Sequence, residues 1–213
     1  MEFDLRALSA FFAVLCVLIA IRLVAQYYKN HKAVHSKYML ITWISIAFEE
    51  FFYGLGWQLG DNRTIIDIGN AFTIVMVVAF FLLMEAISHD KFDFTKMLIY
   101  FIIIMGNIAS GRNPIYMYVS MVYISAIWVY FHIKMYTLAP KYMRFGAILG
   151  VVGAIIMAIG NCYFLFNFGD YNSVIIGLGI LIVTLGYHYA PNIAYLLPNK
   201  VYKLTIVHLT NGI

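Results

Sequence analysis

The chain has 213 residues, 63% of them hydrophobic and only 11% charged, a balance that excludes an ordinary soluble domain. The formal charge of +4 is no nucleic-acid signal, because the basic residues are spaced along the chain between apolar stretches. The partner this composition asks for is a lipid bilayer, with no nucleic acid.

Seven apolar stretches occupy nearly all of the chain: Ala7–Tyr28, Tyr38–Leu59, Ile65–Ser88, Phe94–Ile108, Ile115–Ile133, Phe145–Phe168 and Ser173–Leu197. A spanning helix needs about 20 mostly apolar residues, and in lipid it satisfies its own backbone hydrogen bonds. The expected fold is therefore an all-α, polytopic seven-transmembrane-helix bundle over residues 1–198, with a tail at 199–213.

The first stretch is no cleavable signal peptide. Its leading residues, Met1-Glu2-Phe3-Asp4, are acidic where a signal peptide is basic, and the apolar run is too long. Arg22 can reach the headgroups with its long stem. Cys16 here and Cys162 in the sixth stretch read as small core residues, with nothing in their spacing to support a disulfide.

The second stretch carries Glu49 and Glu50 near its centre. Ionisable residues inside the bilayer are costly and mark functional sites by default. Thr42, Ser45, Glu49, Tyr53 and Gly56 follow helical steps and form one polar stripe, which turns Glu49 towards the bundle interior. Glu50 points about 100° away, on a face with Trp43, Ala47, Gly54 and Trp57, and is expected to meet a different neighbour. The plainer alternative is that one or both acids are neutral, hydrogen-bonded glue between helices.

In the third stretch Asp67, Ile74, Phe81 and Glu85 fall close to one face, with Asn70 a turn deeper than Asp67. Acids at both ends with apolar residues between resemble a gated path; they are also normal where a helix leaves the membrane. The fourth stretch is short and spans only if Lys96 snorkels to one surface while Asn107 to Ser110 meet the other. The sixth presents Gly146, Gly150, Gly153 and Gly160, a face that lets another helix approach closely, and beside it Asn161 can hydrogen-bond across the bundle. The seventh holds His188, a candidate protonation switch, and Pro191, which removes a backbone donor and is expected to bend the helix as a hinge.

The basic residues orient the chain. Lys29, Lys32, Lys37, Lys91, Lys96, Lys134, Lys141, Arg144, Lys200 and Lys203 flank one side, against Arg6, Arg63 and Arg112 on the other. The positive-inside rule then puts the N-terminus outside and the C-terminus in the cytoplasm of a cell-membrane protein, as an odd number of spans requires.

After Pro198 the pattern changes. Val201 to Thr210 is β-branched and partly alternating, and Asn211-Gly212 is a strong hairpin signal. This reads as the start of a β-containing cytoplasmic domain continuing past Ile213, the alternative being a short tail on the membrane surface.

Some chemistries have no carrier. No lysine sits mid-span for a Schiff base, and His31 and His35, though helically spaced, fall in a basic loop with too few companions for a metal site. No phosphate loop or serine-hydrolase elbow is present. Catalysis, a metal and a cofactor are therefore not expected. One reading is a sensor or signal-transducing module that passes a change in the bundle to a cytoplasmic segment or partner through the last helix. The other readings are a small-solute or proton-coupled carrier, with Glu49 binding the coupling ion and the second, third and sixth stretches lining the route, or an assembly subunit. A homo-oligomer is compatible with each.

Overall fold

The computed structural model describes residues 3–31, 34–88, 95, 98–102, 105, 114–162 and 169–189. Every regular element among them is helical. The α-helices are α1 (Leu5–His31), α2 (Val34–Gln58), α3 (Arg63–Ser88), α4 (Pro114–Leu138), α5 (Arg144–Asn161) and α6 (Asn172–Tyr189). Short 3-10 turns at Lys141–Met143 and Gly169–Tyr171 lead into α5 and α6. The Phe94–Ile108 stretch lies mostly outside the described residues; those described within it are helical. The Pro191 bend and the β-forming tail lie wholly outside them.

Local chemistry sets the visible boundaries. α2 stops where Gly60 and Asp61 take positive φ of 75° and 60°, and the Asn62 N–H folds back to the Gly56 carbonyl at 2.9 Å. Asn62 then opens α3, its side chain accepting from the Ile65 N–H at 3.4 Å. Pro114 occupies the first position of α4, where its missing N–H has no intrahelical role. The sixth apolar stretch breaks earlier than its hydropathy indicates, since α5 ends at Asn161 and Cys162 leaves the helix.

α1 packs on α2 and α6, α2 on α3, α4 on α5, and α5 on α6. Phe80 of α3 meets Trp128 of α4 with ring centroids 4.5 Å apart, which closes these pairs into a ring. The core draws Val17, Trp43, Phe80, Trp128, Met157 and Ile180 from α1 to α6 in turn. Close approach is made by small residues. Ala7, Ala10, Ala13 and Ala20 of α1 are fully buried, and a Cβ on Gly177 of α6 would lie 2.8 Å from the Ala13 Cα.

The outer faces are apolar instead of charged. Leu15, Leu18, Phe48, Ile115, Val119 and Ile155 are each more than 40% exposed. A shell of that kind is a liability in water and the natural surface in lipid. Leu5–Lys29, His35–Gln58, Arg63–Met84 and Lys141–Asn161 are long and apolar enough to cross a membrane, and Asn172–His188 is a shorter apolar helix.

Candidate functional site

Among the described residues, three polar centres are held between helices. The first is the seam of α2 and α3. Thr73 donates to Glu49 Oε1 at 2.6 Å, and the Tyr53 hydroxyl lies near the same carboxyl. The Tyr53 hydroxyl donates to Asn70 Oδ1 at 2.7 Å, and Asn70 Nδ2 donates to Asp67 Oδ1 at 3.3 Å. A row of polar groups thus runs from half-buried Glu49 to Asp67, near the start of α3. The rest of the polar stripe behaves differently. Thr42 and Ser45 donate to the carbonyls of Tyr38 and Ile41 on their own helix, and Gly56 faces Ile66.

The second centre lies where α1, α2 and α6 meet. Glu50 is the more deeply buried of the two acids, only 5% exposed, and its carboxyl faces the Ser173 hydroxyl in the first turn of α6. Among the described residues its Oε2 has no hydrogen-bond partner. Ser9 of α1 accepts from the Val174 N–H at 3.1 Å, fixing the same turn of α6 to α1. The adjacent acids therefore do face different neighbours, but the one enclosed by the bundle is Glu50, because Glu49 sits in a seam open on its outer side.

The third centre is His132 of α4, 1% exposed. Its Nδ1 lies 2.9 Å from the Trp128 carbonyl, which makes Nδ1 the protonated nitrogen of the neutral ring and Nε2 the free acceptor. Trp128 packs against it at 4.4 Å and Tyr187 of α6 meets it edge-on at 6.0 Å. A Cβ added at Gly150 of α5 would be 3.1 Å from the imidazole, so glycine there makes room for the ring. Among the described residues the side-chain atoms buried without a partner are Trp43 Nε1, Trp128 Nε1, His132 Nε2 and Glu50 Oε2.

Other expected site residues are placed more loosely. Asn161 donates to Ser125 at 3.5 Å, the predicted bond across helices. On the Asp67 face Ile74 is 40% exposed while Phe81 is 3% exposed, packed with Val77 and Tyr100. The side chain of Glu85 lies outside the described residues. His188 is exposed at the end of α6. His35 departs from its expected place in a loop: it lies in the first turn of α2, 6% exposed, against Tyr27. The glycine face of α5 is a packing seam. A Cβ on Gly153 would fall 2.6 Å from Val183 N, and Gly186 abuts Gly146 and Gly150 in return. Cys16 and Cys162 are free, buried thiols.

Sequence reasoning missed His132, although the rule that singles out ionisable residues inside an apolar stretch covers it as well as Glu49. Ser9, Thr73 and Ser173 carry no signal, since a hydroxyl in an apolar helix usually bonds its own backbone.

Long apolar helices, an apolar exterior and an interior holding the buried polar groups define a polytopic helical membrane protein. In comparisons with known proteins, no family model, curated protein or solved structure matches the chain.

Proposed function

We propose that the protein is a membrane-embedded sensor or signal-transducing module, a bundle of seven spans with the N-terminus outside, in which the last helix carries the output to the cytoplasmic side. One observation carries the reading. The two enclosed ionisable groups, on different helices, lean on the same helix at its opposite ends: Glu50 of α2 on Ser173, and His132 of α4 on Tyr187. A change of charge or hydrogen bonding at either group alters the contacts of α6 directly. The glycine seam then joins α6 to α5, so the pair moves together or slides along smooth surfaces. A cytoplasmic segment or partner following the last span is the receiver this reading requires.

The alternative is a proton-coupled or small-solute carrier, favoured by the Glu49–Tyr53–Asn70–Asp67 row. That row lies on the outer side of the α2–α3 seam, with Asn70 exposed, and the carrier reading needs an enclosed route through the bundle.

The test is the distance between spin labels at Tyr136→Cys on α4 and His188→Cys on α6, in a Cys16→Ala, Cys162→Ala background. Labels are compared in the otherwise unaltered protein, in Glu50→Gln and in His132→Gln, from pH 5 to 8. The sensor reading predicts a distance distribution that shifts in at least one variant or across pH. One unchanging distribution throughout contradicts it. Proton flux into liposomes that is lost in Glu49→Gln would establish the carrier instead.

A further inference from the structure

A cavity of about 20 Å³ lies between the end of α1, the start of α2 and the end of α6. That volume suits one water molecule. Its wall is mainly apolar, with Leu23, Val24 and Met39 beside the stems and rings of Tyr27, His35, Ser36, Thr184, Tyr187 and His188. Two of its lining residues adjoin residues of the core cluster. Met39 stands one helical turn before Trp43 on α2, and Tyr187 is the residue whose ring meets His132. The cavity at the basic end of the bundle thus shares Tyr187 with the ring cluster of the core.

Those core groups share a chemistry. Trp43 and Trp128 pack edge-on with centroids 6.1 Å apart, and Trp128 packs on His132 at 4.4 Å, so the three rings form one cluster. Each is at least 95% buried, and each holds a nitrogen with no partner. Two are indole N–H donors, and the third is the imidazole Nε2, an acceptor once Nδ1 is committed to the Trp128 carbonyl. Two donors and one acceptor match a water molecule, which accepts twice and donates twice. An apolar ligand would leave all three unsatisfied, and an anion would meet the lone pair of Nε2.

We propose that Trp43, Trp128 and His132 form an internal water-binding site, filled from the cavity beside His35 and His188, with Tyr187 as the gate between the two. Tyr187 suits a gate because, among the described residues, its hydroxyl is held by a long bond to Met135 Sδ, at 3.8 Å. Since Tyr187 lies on α6, movement of that helix and hydration of the core are linked. The site stands on the ring cluster and the cavity, and it holds whether the bundle senses or transports.

The chain has three tryptophans, so the indole N–H protons give three separate NMR signals, with Trp57 near the end of α2 as an internal reference. Water-exchange spectra of the whole chain in nanodiscs are expected to show water cross-peaks at Trp43 and Trp128. His132→Phe removes the acceptor and should abolish both while leaving Trp57 unchanged. Tyr187→Ala opens the gate and should speed exchange at the two core indoles at least tenfold. Core indoles that show no water contact in the unaltered protein while Trp57 does would overturn the site, and that measurement needs no variant to fold. Core cross-peaks that survive His132→Phe unchanged would overturn His132 as a ligand.

Discussion

Adjacent carboxyls on α2 diverge because a helix turns about 100° per residue, so Glu49 meets Thr73 on α3 while Glu50 meets Ser173 on α6. Such bonds within a membrane contribute modestly, since the unfolded state in lipid also finds partners for its polar groups. A double-mutant cycle of Thr73→Val and Glu49→Gln is expected to give a coupling of about 0.6 kcal/mol, and no more than about 1.7, read from unfolding in detergent. A value at zero would leave the 2.6 Å contact without energetic content. At the N-terminal edge the balance is set by charge. Arg6 bonds Asp4 Oδ2 at 2.6 Å and Asp61 at 3.0 Å, lies 5.7 Å over the Trp57 ring, and so ties the start of α1 to the turn between α2 and α3. The Arg6 guanidinium holds the Asp4 carboxyl below the usual carboxylate range. A depressed folded-state value means that the clamp contributes fully above about pH 4, the ordinary value of an aspartate. Its contribution is lost as pH falls through the lower folded value. Trp57 fluorescence should therefore change on acidification below about pH 4, and Arg6→Gln should remove that step; a step that persists in Arg6→Gln would assign it elsewhere.

Helices were legible from the sequence because apolar runs of this length have few other fates, and the core of each α-helix from α1 to α6 falls inside one of the seven stretches. Ends were less legible. Hydropathy carried the sixth stretch to Phe168, but the helix stops at Asn161, where the backbone at Cys162 turns away. The glycine face of the sixth stretch was readable by spacing, and the reciprocal glycines of the seventh went unread. The polar interior was half legible: charges such as Glu49 and Glu50 announce themselves, whereas Ser173 gains meaning only once α6 is set beside α2. Glycines separate packing from backbone conformation. Gly153→Ala would press a methyl to 2.6 Å from Val183 N and 2.7 Å from the Gly179 carbonyl, with no flexible side chain able to yield. A destabilisation of about 1–3 kcal/mol is expected from that overpacking. Gly60→Ala meets nothing within 4 Å but must hold φ near 75°, at a cost of about 1–2 kcal/mol. Replacing each by Asn discriminates them in thermal unfolding. Asn tolerates the left-handed region and should recover much of the loss at position 60, while at position 153 it should be worse than Ala. Equal behaviour at the two positions would contradict the close α5–α6 seam.

At the scale of the whole molecule, the ring of helices places apolar side chains outside and buried polar groups within, and the bilayer is the solvent that makes this arrangement stable. The proposed output through α6 has a direction only if the basic ends of the helices lie in the cytoplasm, so topology decides more than any single contact. The measurement is labelling of single cysteines from outside intact cells by a reagent that does not cross membranes, in the Cys16→Ala, Cys162→Ala background. Arg63→Cys, at the start of α3, is predicted to react, and Lys32→Cys and Lys141→Cys are predicted to stay protected until the membrane is opened. Reaction at Lys32→Cys with protection at Arg63→Cys would invert the bundle and contradict the account.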